Sequence, residues 1–256
     1  MITDIMIIMI HEIIFGFLYS KAMPTSSWRS LSTDNHQVYE RPLGLTELCF
    51  YWDSVYERIA DILQHTEVEI ESSKFEEATN LSNLRKIWTK LKQQFPLLGA
   101  RLDERGDGSV FFVVTADNLN KCRSSEVTIQ NISSLQQALD IVDNIITGRK
   151  HDLSNNLLAR LVVLRRMDQK NHIHMLLHVS HCITDGMANI TTLRTILNHL
   201  CGTVNTPAWE LGDRLALSTA SEELGPQRKF NLARRRWRIA IASIISVRKA
   251  SRLMVN

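Results

Sequence analysis

Histidine is the residue type in this chain best suited to chemistry at neutral pH, because an imidazole with a pKa of ~6.5 both accepts and returns a proton. Four of the nine histidines lie in one stretch, residues 172–182, with the sequence HIHMLLHVSHC. Polar and apolar residues alternate there, which predicts a β-strand. On such a strand His172, His174 and His178 share one face, and the apolar residues share the other.

Distance disfavours a metal site on that polar face. His172 and His178 would lie ~20 Å apart on a strand that rises ~3.3 Å per residue, and metal–nitrogen bonds of ~2 Å cannot bridge them. His172 and His174 alone are too few ligands. We therefore predict no metal and interpret these three as polar-face histidines.

His181 falls on the apolar side of the same strand and opens the segment HCITDG at residues 181–186. A helix is predicted to begin at Gly186, so His181 lies between a strand and a helix. One interpretation is a turn histidine beside Asp185, whose carboxylate caps that helix. The other is a catalytic histidine. The sequence holds no GxSxG, GxxxxGK[ST] or HExxH pattern, so the common nucleophile, phosphate and zinc motifs offer no competing site.

The elements that would position His181 follow from the hydrophobic spacing. We predict a short helix that Thr46 caps and that ends near Trp52, and a hairpin around the turn residues 104–108. The remaining elements are a β-compatible segment at 59–70, helices at 75–95 and 133–146, strands at 157–164 and 171–180, and a helix at 186–200. This order predicts an α/β fold, a two-layer mixed sheet with flanking helices.

The domain boundaries follow from where this periodicity begins and fades. Residues 1–40 are an N-terminal segment, and residues 41–205 are the compact domain. Residues 206–230 are predicted as a linker, and residues 231–256 as a basic amphipathic helix.

The first 22 residues are apolar but fit no standard targeting segment. Asp4 makes the start acidic, and His11 and Glu12 interrupt the apolar run, whereas a signal peptide needs a basic start and an unbroken core. A membrane span needs about 20 mostly apolar residues. A start at Met23 is favoured over a membrane anchor, and an anchor over a secretion signal.

Charge is distributed unevenly along the 256 residues. Residues 226–256 hold nine basic side chains and no acidic one, so the rest of the chain is acidic on balance. We therefore predict no nucleic-acid partner. The four cysteines form no CxxC pair, which argues against a zinc ribbon and favours a reducing compartment; a cytoplasmic location is predicted.

Three segments together resemble the CoA-dependent acyltransferase superfamily, which includes BAHD-type acyltransferases and nonribosomal-peptide condensation domains. HCITDG at 181–186 matches its HxxxDG motif, RPLGLTE at 41–47 resembles its domain entry, and FPLLGAR at 95–101 resembles its helix-to-strand junction. The likeness is greatest to acetyltransferase-like members of fungal secondary metabolism. It implies the N-terminal half of a chloramphenicol-acetyltransferase-like fold over about residues 41–205.

The resemblance implies a role for each motif residue. His181 would be the general base, taking a proton from a hydroxyl or amine acceptor as it attacks a thioester carbonyl. Asp185 would turn away and form an ion pair that holds the loop, and Gly186 would let the backbone enter the helix without a clash. Cys182 is interpreted as a small buried residue. No cofactor would be bound permanently; the partners would be acyl-CoA as co-substrate and a small-molecule acceptor.

Two departures from the family pattern qualify this implication. Ser180 stands where condensation domains usually have a second histidine, which favours a BAHD-like role. The second half of the family fold, with its DFGWG-type motif, is absent from the sequence. Because the active-site tunnel lies between the halves, a truncated acyltransferase with little activity of its own is predicted.

Other functions stay open at this point. One is a non-catalytic half-domain or a peptide-condensation-type domain. Another is a protein that binds a partner or an anionic membrane surface through the basic C-terminal helix. Membrane contact through residues 1–22 or 231–254 is not favoured.

Overall fold

The computed structural model describes residues 27–31, 37–57, 61–148, 152–203, 210–220 and 223. All of them belong to one compact unit, residues 26–224. The apolar segment 1–22 and the helix predicted at 231–256 lie outside the described residues, so both stay predictions.

The described chain alternates short strands and helices. The strands are β1 (Arg29–Ser30), β2 (Val38–Pro42), β3 (Ile62–Glu69), β4 (Arg101–Glu104), β5 (Val110–Thr115), β6 (Val127–Ile132), β7 (Ala159–Arg166) and β8 (His172–Val179). The α-helices are α1 (Leu45–Trp52), α2 (Phe75–Ala78), α3 (Leu81–Gln94), α4 (Ala116–Asn120), α5 (Leu135–Ile146), α6 (Gly186–Leu200) and α7 (Leu211–Ala216). A π-helical turn, Asp53–Glu57, continues α1, and a 3₁₀ turn, Pro96–Gly99, follows α3.

The first sheet has the strand order β1-β2-β5-β4 and is antiparallel throughout. The predicted hairpin is confirmed as β4 and β5. In its turn Asp107 accepts from the Ser109 N–H at 2.9 Å, and Gly108 has a φ of 79°, which a glycine adopts without strain. The inner side of this sheet packs against α1 and α7.

The second sheet has the strand order β3-β8-β7-β6 and is mixed, because β6 and β7 alone run parallel. α3 and α6 pack on one face, and α5 packs on the other. The α/β class and the mixed sheet with flanking helices are confirmed. The layering differs, since this sheet is the middle of three layers. Nearly every residue of β8 is buried, as expected of a strand covered on both faces.

Three predictions of element bounds differ from the structure. The helix predicted at 75–95 is divided into α2 and α3, because Asn80 is the N-cap of α3. Gly44, not Thr46, is the N-cap of α1, and the helix begins at Leu45. The range 206–230, predicted as a linker, contains α7, whose Leu215 is fully buried. Short helices of this kind lack the repeated apolar spacing by which longer ones are detected.

The buried pair of Arg41 and Glu47 fixes α1 to the first sheet. Arg41 on β2 is fully buried, and its two terminal nitrogens donate to the two carboxylate oxygens of Glu47, each at 2.8 Å. Glu47 Oε2 also accepts from the Gly44 N–H at 2.6 Å, which satisfies a donor at the helix start. The guanidinium lies 5.0 Å from the centroid of the Phe112 ring. The RPLGLTE segment therefore encodes a docking contact.

A second buried charge, Lys92, ties α3 to the chain before β6. Its ammonium donates to Glu126 at 2.8 Å and to the carbonyls of Asn118 and Lys121 at 2.6 and 2.5 Å. Burial lowers the pKa of Lys92, and the hydrogen bond and charge of Glu126 oppose that change. All three protons of the ammonium are thus satisfied.

Gly99, in the FPLLGAR segment, allows the backbone to pack closely against Lys92 and Leu119. A Cβ placed on Gly99 would lie 2.8 Å from Leu119 Cδ2 and 3.1 Å from Lys92 Cδ. Both neighbours are buried, so neither can move away without disturbing the core. Close packing therefore requires a residue without a side chain at position 99.

Glu47→Gln is expected to lower the free energy of unfolding by about 3–5 kcal/mol, because Arg41 would keep a buried charge without its partner. Urea denaturation measures this loss. The matched control is Glu76→Gln, which breaks an exposed pair with Arg165 and should cost less than about 1 kcal/mol. Equal losses in the two variants would contradict the docking role.

Gly99→Ala is expected to destabilise the fold by about 1–3 kcal/mol through overpacking. Gly106→Ala is the control, since a Cβ there would meet nothing within 4 Å. Thermal unfolding of both variants checks the difference. An unchanged midpoint for Gly99→Ala would show that Leu119 and Lys92 adjust freely.

Candidate active site

His181 lies in the turn between β8 and α6. The strand ends at Val179, and the helix begins at Gly186. The imidazole is half-buried. The structure therefore places the sequence-predicted histidine at a strand end, as expected.

Two contacts fix the imidazole of His181. Its Nδ1 lies 2.8 Å from the Thr184 carbonyl oxygen. A carbonyl oxygen only accepts, so Nδ1 carries the proton and Nε2 of the neutral ring keeps its lone pair. The Phe50 ring of α1 stacks on the imidazole, with centroids 3.7 Å apart and an interplanar angle of 6°. One contact sets the protonated nitrogen, and the other sets the plane of the ring.

A polar contact beneath the turn connects it to α6. Thr184 Oγ1 donates to Asn189 Oδ1 at 2.8 Å. Asn189 is buried, with 1% of its surface exposed. The loop that carries His181 is thereby anchored to the core through a side chain as well as through its backbone.

Asp185 is the N-cap of α6. Its Oδ1 accepts from the Ala188 N–H at 2.7 Å, which satisfies one of the free donors at the helix start. The ion pair that the resemblance implied for Asp185 is not formed among the described residues. Its carboxylate is exposed and serves as a cap instead.

Gly186 has no steric requirement in its described surroundings. A Cβ there would meet nothing within 4 Å, and the positive-φ glycines of the described chain are Gly108, Gly148 and Gly202. No described neighbour outside its own helix and its adjacent residues therefore requires a glycine at this position.

The thiols of Cys182, next to His181, and of Cys122, before β6, are not activated. Cys182 is buried, and burial raises its pKa to about 12. Burial likewise raises the pKa of Cys122 to about 11. Because the thiolate is the reactive form, Cys182 is a packing residue and not a nucleophile.

The other histidines of β8 lie on the face opposite the α3 and α6 side, but α5 covers that face. His174 and His178 are buried rather than solvated, which corrects the polar-face interpretation. His65 Nε2 lies 3.0 Å from His174 Nδ1, so one proton is shared between the rings. Across the described residues no three His, Cys, Asp or Glu side chains form a group that could hold a metal.

Phe50, Thr184 and Asn189 are not predicted from the sequence as parts of the site. Phe50 comes from a distant segment, and no local pattern connects it with His181. Asn189 did carry a signal, since it shares the helical spacing of the buried Leu193 and Ile196. A polar residue on the packed face of a helix usually has a specific partner.

Comparison with known proteins finds likeness in structure alone. No family model matches the sequence, and no curated protein matches it. The crystal structure of holo T3CT matches with a TM-score of 0.51 and 13% identity, covering 77% of this chain and 41% of that one. A holo four-domain nonribosomal peptide synthetase bound to AMP and glycine matches with a TM-score of 0.51 and 12% identity, covering 82% and 15%. The starter condensation domain of rhizomide synthetase matches with a TM-score of 0.46 and 15% identity, covering 66% of this chain and 40% of that one.

The likenesses to holo T3CT and to the four-domain synthetase, each with a TM-score of 0.51, confirm the predicted fold class. In fold alone, the chain resembles one part of each of these two larger structures. The chain spans less than half the length of each of these structures. No helix in the described ranges has the length and apolarity needed to cross a membrane.

The His65–His174 pair is expected to make stability depend on pH. Burial lowers the pKa of both imidazoles, and Glu67 opposes it in each. A lowered folded pKa favours the neutral ring, so this contribution is fully present above the unfolded pKa of ~6.5 and is lost as pH falls below it. Between pH 7 and 5 the free energy of unfolding should therefore fall further in the natural chain than in His174→Leu.

Urea denaturation at both pH values measures this difference. Leu176→Val, on the same face of β8, is the control for packing loss and should lower stability equally at both pH values. If the free energy of unfolding depends on pH identically in the natural chain and in His174→Leu, the His65–His174 pair is not the source of this pH dependence.

Proposed function

We propose that this chain supplies the histidine part of an acyl-transfer site, in which His181 is the general base for transfer from a CoA thioester to a hydroxyl or amine acceptor. The observation that carries the proposal is the hydrogen bond from His181 Nδ1 to the Thr184 carbonyl. It leaves Nε2 as an acceptor on a half-buried ring at the end of a rigid strand.

The proposed reaction needs only proton movements at His181. Nε2 takes the proton from the acceptor hydroxyl or amine while the acceptor oxygen or nitrogen attacks the thioester carbonyl. The tetrahedral intermediate then expels the thiolate, which receives the proton from the imidazolium. The Phe50 ring, stacked on the imidazole, keeps the ring plane constant through both transfers.

The opposite wall of the proposed site would come from further polypeptide. Exposed apolar side chains lie on two elements that adjoin His181. Val55 and Tyr56 follow α1, the helix that carries Phe50, and Met187 and Ile190 lie on α6, the helix that follows His181. Tyr56 is 76% exposed and Met187 71% exposed. Exposed apolar groups of this size favour a covering partner surface, and this chain covers 41% and 15% of the two structures that share its fold with a TM-score of 0.51.

A carrier-bound thioester is the second candidate donor. The fold is shared with a holo nonribosomal peptide synthetase, and a carrier would present the same thioester as acyl-CoA. Ser180 favours CoA, since it replaces the second histidine of the condensation pattern.

We propose a cytoplasmic location for this chemistry. The four cysteines form no CxxC pair, which supports a reducing compartment.

Acetyl-CoA at millimolar concentration is expected to shift the NMR resonances of the His181 imidazole in the full chain. His199, at the far end of α6, is the internal control and should not shift. Free CoA should give a smaller effect, because it lacks the acetyl group and its thioester carbonyl. Resonances of His181 that stay unmoved would contradict the proposed site.

Thiol release from acetyl-CoA with a panel of hydroxyl and amine acceptors is expected to stay near background and to be equal in His181→Ala. An unoriented carbonyl displaced by ~1 Å already costs ~10²-fold. Rapid release that His181→Ala abolishes would support acyl transfer and contradict the need for a second wall.

A further inference from the structure

Asn189 is a polar residue in the packed core of α6. It is 1% exposed, and its spacing places it with the buried Leu193 and Ile196. Within the described chain its side-chain nitrogen is buried without a hydrogen-bond partner. Burying an unsatisfied amide group costs free energy, so stability alone does not account for an asparagine here.

Within the described chain, the side chain of Asn189 makes one hydrogen bond, and it goes to the turn that carries His181. Its Oδ1 accepts from Thr184 Oγ1 at 2.8 Å, and the same hydroxyl lies 3.2 Å from the Asp185 carbonyl. Thr184 precedes α6 and follows β8, so neither a helix nor a strand ladder fixes its carbonyl. The hydroxyl contact to Asn189 therefore fixes the orientation of this residue.

The Thr184 carbonyl is the group that faces His181 Nδ1, at 2.8 Å. Which imidazole nitrogen is protonated depends on the hydrogen bond that the other makes. In water a neutral imidazole side chain prefers the proton on Nε2, and that tautomer has no lone pair where the proposed base needs one. The Phe50 stack sets the ring plane but does not distinguish the two nitrogens.

We infer that Thr184 and Asn189 are positioning residues that hold the Nδ1–H tautomer of His181. The Asn189 amide holds the Thr184 hydroxyl, the Thr184 carbonyl then accepts from Nδ1–H, and Nε2 stays free to accept a proton. This inference deepens the proposed function and rests on His181 acting as a base.

The test is the tautomer of His181 in the full chain labelled with ¹⁵N-histidine, read from the two ring-nitrogen shifts at a pH where the ring is neutral. Thr184→Val and Asn189→Leu are expected to raise the ratio of Nε2–H to Nδ1–H by roughly fivefold, the effect of losing one ordinary hydrogen bond. Thr184→Ser keeps the hydroxyl and should retain the natural tautomer.

Thr192→Val is the matched control. Thr192 is also on α6 and buried, but its hydroxyl donates to the Ala188 carbonyl at 2.8 Å rather than toward the loop. The ratio of the two His181 tautomers in Thr192→Val should equal the ratio in the natural chain.

An unchanged ratio in Thr184→Val overturns the inference, and so does an equal change in Thr192→Val. If Asn189→Leu does not fold, Thr184→Val decides the question, since Thr184 is half-exposed and its replacement removes the hydroxyl alone. The tautomer is measured without substrate. A failure of the proposed function would show separately, as an absent response to acetyl-CoA with the tautomer still controlled by Thr184.

Discussion

The geometry of the candidate site depends first on the buried pair of Arg41 and Glu47. A buried ion pair contributes little net stability, because desolvation offsets most of its attraction. Its two parallel hydrogen bonds do fix one orientation of α1 on the first sheet. The same helix carries Phe50, whose ring stacks on His181. The domain-entry segment and the histidine motif, far apart in the sequence, are therefore parts of one contact chain.

The second constraint is the central strand β8. It pairs with β3 on one side and β7 on the other, and helices cover both of its faces. Because both edges of β8 are paired and both faces are covered, the end of the strand has little freedom. The turn that begins with Ser180 therefore continues from β8 in a defined direction. Reactive groups supported by rigid elements keep their geometry better than groups on free loops. This explains why a half-exposed histidine has so few available orientations.

Sequence patterns predicted the long amphipathic elements well and the tertiary relations poorly. α6 begins and ends at the predicted Gly186 and Leu200, because one apolar face and a capping aspartate mark it. The division of the strands into two sheets and the covering of β8 by α5 were not predicted, since period-two alternation shows only that faces differ. Phe50 could not be connected with His181 for the same reason. Contacts between distant segments leave no local pattern.

The two interpretations of the HCITDG segment are compatible with one arrangement. Asp185 caps α6, as the turn interpretation required, and this cap determines where the helix starts. With that start fixed, Thr184 precedes the helix by two residues, and its carbonyl points back to His181 Nδ1. The three residues between His181 and Asp185 are what this turn needs to close. A capping Asp185 is therefore compatible with the proposed base at His181, because the cap fixes the position of the Thr184 carbonyl that faces Nδ1.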